Sequence, residues 1–238
     1  MSEPAIAVLP YGVLLGAGYL NLSCDDLEWP LGQPDRLRQK SLRDMTRDDH
    51  LIVYPRPALH YRPLFGLKAR VSMMVQEPRA IHWDHRLLLR ASWRKFHRVL
   101  THDRDLISKI PNGVFVPFGT TWVPNWQELD LTKSKNCSLI ASSKTSQEGH
   151  KLRHSVADYV KAQQLDVDVM GSGYRSFETK SDGLASYRYS VVIENVREPD
   201  YFTEKLLDAL LCLTVPIYWG CPNIGGLFRH GSYDHLSQ

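Results

Sequence analysis

At 238 residues, 43 % of them hydrophobic, the chain is long enough for one large globular domain or two smaller ones with a substantial core. Lys plus Arg number 29 against 26 for Asp plus Glu, and a net charge of +3 is too small to imply a nucleic-acid partner while allowing an anionic small ligand. Cys24, Cys137, Cys212 and Cys221 form no C-x-x-C pair and adjoin no histidine cluster, which argues against a local zinc site or a disulfide framework and for free thiols in a reducing compartment.

In chain order, "AIAVLPYGVLLGAGYL" is broken by Pro10 and three glycines and lacks a basic leader, so it reads as a buried strand followed by a loop, neither signal peptide nor membrane span. Residues 28–50 are polar and read as a loop with a short surface helix. Short apolar runs then alternate with amphipathic ones: "HLIVYP" strand, "ARVSMMVQEP" strand, "HWDHRLLLRASWRKF" helix, "RVLTH" strand, "DRDLISKI" helix and "GVFVPFG" strand. A looser stretch, 120–136, holds two prolines and two tryptophans and places a boundary between domains 1–121 and 122–238. Beyond it the alternation restarts with "CSLIAS" strand, "GHKLRHSVADYVKAQQ" helix, "VDVMG" strand, a short helix around "DGLASYR", "YSVVIE" strand, "TEKLLDALLCL" helix and "VPIYWG" strand, which Pro216 opens. Strands alternating with helices specify parallel sheets, so the expected fold class is α/β with two Rossmann-like domains facing across a cleft and ligand at the carboxyl ends of strands.

The second half carries the chemistry. Glu194 and Asn195 end an almost continuously apolar strand, and Thr203 stands ready to cap a helix whose leucines, Leu206, Leu207, Leu210 and Leu211, recur at helical spacing. Glu204 and Lys205 then fall in the first turn. A glutamate is favoured there by the helix dipole, whereas a lysine costs about 0.3–1 kcal/mol unless an anion lies between it and the free N–H groups. A bound phosphate would reverse that sign, leaving Glu204 to accept from sugar hydroxyls and Tyr201 and Phe202 to offer a flat surface. The alternative is an ordinary capped helix with exposed Glu204 and Lys205. Upstream, His150, Lys151, Arg153 and His154 cluster at another strand-to-helix junction, where a guanidinium suits a phosphate, although a solvated basic face reads equally well. There is no Walker motif, no G-x-G-x-x-G, and no Asp-x-Asp in a convincing loop.

"VVIENVREPDYFTEKLLDALLCLTVPIYWG" resembles, without a gap, the signature of the α-1,3-fucosyltransferases, glycosyltransferase family 10: Glu-Asn closing a strand, Tyr-x-Thr-Glu-Lys, Asp-Ala, and a Val-Pro-x-Tyr-Trp-Gly strand. Weaker similarity covers most of residues 70–226. The resemblance implies a GT-B fold whose C-terminal domain holds GDP-fucose. Lys205 and Arg153, with Lys151, would face the diphosphate and Glu204 the ribose hydroxyls. Asn195 and Tyr201 would contact the donor near its phosphates and sugar, with Glu194 and Thr203 in the same donor site. It also implies an inverting transfer to a glycan hydroxyl with no required metal or other cofactor.

Such a transfer needs a carboxylate to take the acceptor's proton and cations to meet the charge on the leaving group. Glu77, at the end of the "ARVSMMVQEP" strand, falls about where the family carries its base, with His82, Asp84 and His85 as alternatives. The exposed aromatics Trp83, Trp93, Trp122 and Trp126 are candidates to stack on acceptor sugars or to belong to the core. Other readings are a GT-B transferase using another donor, such as GDP-mannose, and an inactive nucleotide-sugar-binding homologue. Family members continue past the Tyr-Trp-Gly strand with further helices, so the second domain is expected to be truncated at Gln238, leaving part of its sheet uncovered. With no signal or anchor the expected location is the cytoplasm, with room for peripheral contact at a membrane's inner face, and the expected acceptor a lipopolysaccharide or another surface glycan.

Overall fold

Short apolar runs become parallel strands in both halves of the chain. The computed structural model describes residues 3–117, 119–228 and the pair 234–235, and the chain divides into two units, Met1–Val116 and Pro117–Gln238.

The first unit contains β1 (Ile6–Val8), β2 (His50–Val53), α1 (Pro57–Tyr61), β3 (Arg70–Val75), α2 (Arg79–Ser92), β4 (Val99–Thr101), α3 (Arg104–Ile107) and β5 (Gly113–Phe115). Its sheet is parallel with strands in sequential order β1-β2-β3-β4-β5, aligned for instance by Val53 beside Met73 and Val75 beside Thr101. Ala7, Leu51, Val53, Met73 and Val99 are fully buried in the sheet, and Leu89 seals it from α2. The segment expected to carry a surface helix instead makes two 3-10 turns, Asp35–Leu37 and Leu42–Asp44, that bury Leu37, Leu42 and Met45 in the same core. The reason is local polarity: Asp49, fully buried, accepts from the Ala5 and Thr46 N–H groups and from Arg36, tying the loop to β1. Helix α1, not expected from the sequence, starts on Pro57, whose fixed φ suits the first helical position.

The second unit contains β6 (Lys135–Ile140), α4 (Glu148–Ala162), β7 (Val167–Met170), β8 (Tyr187–Ile193), α5 (Glu204–Leu211), β9 (Val215–Trp219) and β10 (Asp234–His235). The strand order is β7-β6-β8-β9-β10, all parallel. Renumbered from β6 this is 2-1-3-4-5, the flavodoxin-like doubly wound order, whose topological switch point lies between β6 and β8. The helix expected around Asp182–Arg188 is displaced to a 3-10 turn at Lys180–Gly183. There Asp182 accepts from the Glu178 and Thr179 N–H groups, while Tyr187 and Arg188 already belong to β8. Pro216 is the second residue of β9, paired with Ser190, and Val215 opens the strand.

The linking stretch is packed on the second unit. Val123 is buried in its core, Trp126, Leu129 and Leu131 pack against it, and the Asp208 carboxylate on α5 accepts from Thr121 Oγ1 (2.5 Å) and the Trp122 N–H (3.0 Å). Leu206 and Ala209 of α5 are wholly buried in that core, with Leu207 and Leu210 against it. All four cysteines are buried and unpaired. No described helix is long and apolar enough to cross a membrane. What the sequence implied for the chain after Phe228 falls mostly outside the described residues.

Candidate functional site

The carboxyl end of β8 emerges at the switch point, where diverging connections leave a crevice in open α/β sheets. Its first residue is Glu194, fully buried, whose N–H donates to the carbonyl of Trp219, the last residue of β9, so that the pairing runs one residue past the end of β8. The carboxylate turns to the start of α5: Oε1 accepts from the Thr203 N–H at 2.8 Å and Oε2 from Thr203 Oγ1 at 2.7 Å. Burial pushes the Glu194 carboxyl up, against the pull of Lys205 and of the two Thr203 bonds. Gly220 makes this possible, because a Cβ there would stand 2.5 Å from Glu194 Cγ.

Thr203 caps α5, its Oγ1 accepting from the Lys205 N–H. The Lys205 ammonium lies 3.0 Å from Thr203 Oγ1, 3.1 Å from Glu204 Oε1 and 3.6 Å from Glu194 Oε2. One cation is thus held at the positive end of a helix by two carboxylates, and an anion entering there would meet a fixed ammonium. The preceding loop is pinned by Asn223, whose Oδ1 accepts from the Asp200 N–H at 2.8 Å and whose Nδ2 donates to Asp200 Oδ1 at 3.0 Å. Asp200 itself sits at φ 60°, a left-handed conformation that aspartate tolerates. Tyr201 and Phe202, expected to present a flat surface, are 3 % and 4 % exposed, and Phe202 stacks edge-on against Phe228 in the core. Their aromatic faces fill the interior because the cap at Thr203 turns the chain inward just beyond them.

The start of α4 meets the same backbone. The Gly149 N–H donates to the Asn195 carbonyl at 2.9 Å, and a Cβ on Gly149 would fall 1.7 Å from the Glu194 carbonyl oxygen. Arg153, one turn on and 5 % exposed, donates from Nε to the Ile193 carbonyl at 3.0 Å and from Nη2 to Asn195 Oδ1 at 3.0 Å. Burial draws its pKa down, with Glu194 and Glu204 opposing. The basic cluster expected here therefore separates. Arg153 and His150 turn inward, and His154 bonds Tyr174 Oη at 2.7 Å and the Lys144 carbonyl at 3.1 Å, while Lys151 stays exposed.

Two further residues were given no role by the sequence, although the Asp-Ala pair of the resemblance contains the first. Asp208, one turn after Glu204, is fully buried with Oδ2 unpartnered, and burial pushes its carboxyl up. Lys180 places its ammonium 5.4 Å from the Trp122 ring centroid, and burial draws its pKa down against the attraction of Asp208 and Glu204. An aspartate inside the apolar run "LLDALL" was a readable signal for the first; nothing local marked Lys180.

In the first unit Glu77 is the second residue after β3, half-buried, at the carboxyl edge of that sheet. Of its alternatives, His85 Nδ1 is engaged with His60 Nε2 at 2.9 Å, and burial lowers the pKa of His85 and takes that of His82 to about 4. Asp84 is half-buried on α2. Trp83 and Trp122 are 61 % and 65 % exposed, whereas Trp93 and Trp126 pack against the cores of the first and second units respectively. Among the described residues no group of three or more His, Cys, Asp or Glu side chains is placed to hold a metal ion.

Comparison with known proteins bears on the second unit. Residues 131–238 match the family described as glycosyltransferase family 10 (fucosyltransferase), C-terminal part. The alpha-(1,3)-fucosyltransferase FucT of Helicobacter pylori is 36 % identical over 64 residues, 27 % of this chain and 13 % of that protein. A putative fucosyltransferase-like protein of Arabidopsis thaliana is 28 % identical over 170 residues, 67 % of this chain and 31 % of that one. The chain thus spans less than a third of either curated relative. Among solved structures, an α1,3-fucosyltransferase with GDP superposes with a TM-score of 0.51 at 19 % identity, covering 78 % of this chain and 60 % of its own. TarM superposes with a TM-score of 0.51 at 10 % identity, covering 81 % and 45 %. These likenesses establish an α/β fold of the GT-B type built on parallel sheets. The match to glycosyltransferase family 10 thus lies in residues 131–238, the part of the chain that contains the Glu194 to Lys205 constellation.

Proposed function

We propose that the protein is an inverting glycosyltransferase that moves fucose from GDP-fucose to a hydroxyl of a glycan acceptor. The second unit takes the nucleotide sugar and the first takes the acceptor. The observation that carries this reading is the Lys205 ammonium fixed at the start of α5 between Glu194 and Glu204, inside the segment that matches the family. Its fold neighbour solved with GDP supports a guanosine diphosphate donor.

In this reading Lys205 meets the diphosphate and Glu204 the ribose hydroxyls. Lys151, exposed near the start of α4, is a second cation for the phosphates, and Asn195 approaches the donor near its phosphates and sugar, while Tyr201, its ring buried, backs the site from within. Glu194, Thr203 and Arg153 work from behind: the first two fix Lys205, and Arg153 fixes the turn that carries Asn195. The acceptor hydroxyl attacks C1 of fucose, and the bond from C1 to the β-phosphate oxygen breaks with its electron pair leaving on GDP. Glu77 takes the hydroxyl proton. The positive charge at α5 offsets the charge that grows on the departing diphosphate.

The test is GDP release from GDP-fucose and from GDP-mannose over a panel of glycan acceptors, with fucosylated product detected by mass spectrometry. Glu77→Gln should keep GDP affinity within about twofold and lose at least about a hundredfold in turnover, the range of a general base. Undiminished turnover in that variant removes Glu77 from the mechanism. Turnover of GDP-mannose alone replaces the donor.

A further inference from the structure

A separate cavity of about 160 Å³ lies inside the first unit. Leu9, which follows β1, and Tyr54, which follows β2, line it, so it opens at the carboxyl edge of the sheet, where open α/β sheets take ligands. Its interior is aliphatic: Leu9 and Leu59 are 4 % and 7 % exposed, with Val13 and Leu15 half-buried beside them. The Tyr11 and Tyr54 rings meet edge to face, 5.2 Å apart, and Leu14 stands 66 % exposed on the lining.

Two guanidinium groups belong to this otherwise apolar wall, Arg56 and Arg62. Arg56 is held over the Tyr11 ring at 4.9 Å and donates from Nη2 to the Tyr11 carbonyl and from Nη1 to the Pro55 carbonyl. Those bonds leave it further N–H groups of its five, in a fork whose geometry suits phosphate or carboxylate. Arg62, just past α1, is exposed.

Size and lining narrow the occupant. A dry cavity of about 150 Å³ takes one benzene ring, whereas whole ligands the size of a nucleotide need roughly 300 Å³ or more. A sugar ring of that size would bring hydroxyls into an aliphatic wall, each unpaired one costing on the order of 1–3 kcal/mol. We propose that the cavity anchors an anionic amphiphile, with about six carbons of alkyl or isoprenoid chain inside and a phosphate or carboxylate on Arg56 and Arg62. The sheet order β1-β2-β3 sets the opening one to two strand spacings, roughly 5–10 Å, from the end of β3 that leads to Glu77. Resting on the transferase reading, this makes the anionic amphiphile the carrier of the acceptor.

Calorimetric titration of the full chain with hexyl phosphate, hexanoate, hexanol, inorganic phosphate and methyl glucoside tests the site. Hexyl phosphate should bind at least tenfold more tightly than hexanol, inorganic phosphate or methyl glucoside. Hexanoate as the tighter of the two anions assigns a fatty acid, and hexyl phosphate a lipid phosphate; either order supports the site. Arg62→Gln should weaken hexyl phosphate about tenfold without moving hexanol, and Ala58→Phe, on the lining, should abolish both. Equal binding of inorganic and hexyl phosphate, preference for methyl glucoside, or no effect of Arg62→Gln overturns the inference. GDP titrated into the same samples keeps the two readings apart: GDP binding without hexyl phosphate binding strikes the cavity alone, and the reverse strikes the transferase alone.

Discussion

Lys205 stands where an isolated helix would disfavour it, in the first turn of α5, and the structure shows what holds it there. Thr203 Oγ1, Glu204 and the buried Glu194 surround its ammonium within 3.6 Å. If that ammonium grips a diphosphate, Lys205→Ala removes a charge-assisted contact worth about 1.5–3 kcal/mol, so GDP affinity should fall roughly ten- to hundredfold. Calorimetry with GDP checks this; an unchanged Kd would reduce Lys205 to a partner for Glu194. The sequence already showed the anomaly, since "TEK" at a helix start places a cation at the positive pole. It did not show that Glu194 turns away from solvent. That follows from the Thr203 cap, nine residues on at the start of α5, and from the Gly220 backbone, which is distant in the chain and brought to Glu194 by the pairing of β8 with β9.

At the scale of elements, the close approach of α4 to the end of β8 is set by one residue. Gly149 leaves no room for a side chain against the Glu194 carbonyl. Gly149→Ala should force the helix away, lower stability by about 1–3 kcal/mol and weaken GDP at the same time, because Asn195 and Arg153 hang on the same turn. A thermal melt beside a GDP titration measures both, and an unshifted melt would contradict the packing.

Strand and helix periodicity placed nearly every element here, because buried parallel strands read as unbroken apolar runs and α5 carries its leucines at helical spacing. Besides the short α1, which opens on Pro57, what periodicity missed were pieces organised by side chains reaching the backbone. The 3-10 turn at Lys180–Gly183 is wound by Asp182, and the turns over the first sheet hang on Asp49. Tyr201 and Phe202 were misread as a surface for a related reason, since nothing in "DYFTEK" tells which way a loop turns before its cap.

At the scale of the molecule, buried titratable groups give the two units different responses to pH. In the first, burial takes His60 and His82 from 6.5 to about 4. A base with a depressed folded pKa contributes stability that is present above 6.5 and lost as pH falls toward 4. In the second, burial raises the carboxyls of Glu194 and Asp208 above 4.5 and 3.8, so their contribution is fully present below those values and declines as pH rises through the folded pKa. Hydrogen exchange followed by mass spectrometry between pH 7 and 5, corrected for intrinsic rates, should therefore show protection falling more in residues 3–116 than in 119–228, where Glu194 and Asp208 oppose the loss from His150, whose pKa burial also lowers. Loss of protection in the second unit alone would contradict this assignment.

The central claim is that a guanosine diphosphate sugar binds the Glu194 to Lys205 constellation. Calorimetric titration of GDP-fucose into the wild-type chain and into Lys205→Ala tests it most directly. One-to-one binding that weakens at least tenfold in the variant is the predicted result. Absence of binding by GDP-fucose and GDP to the wild-type chain, or equal binding by the variant, would contradict it.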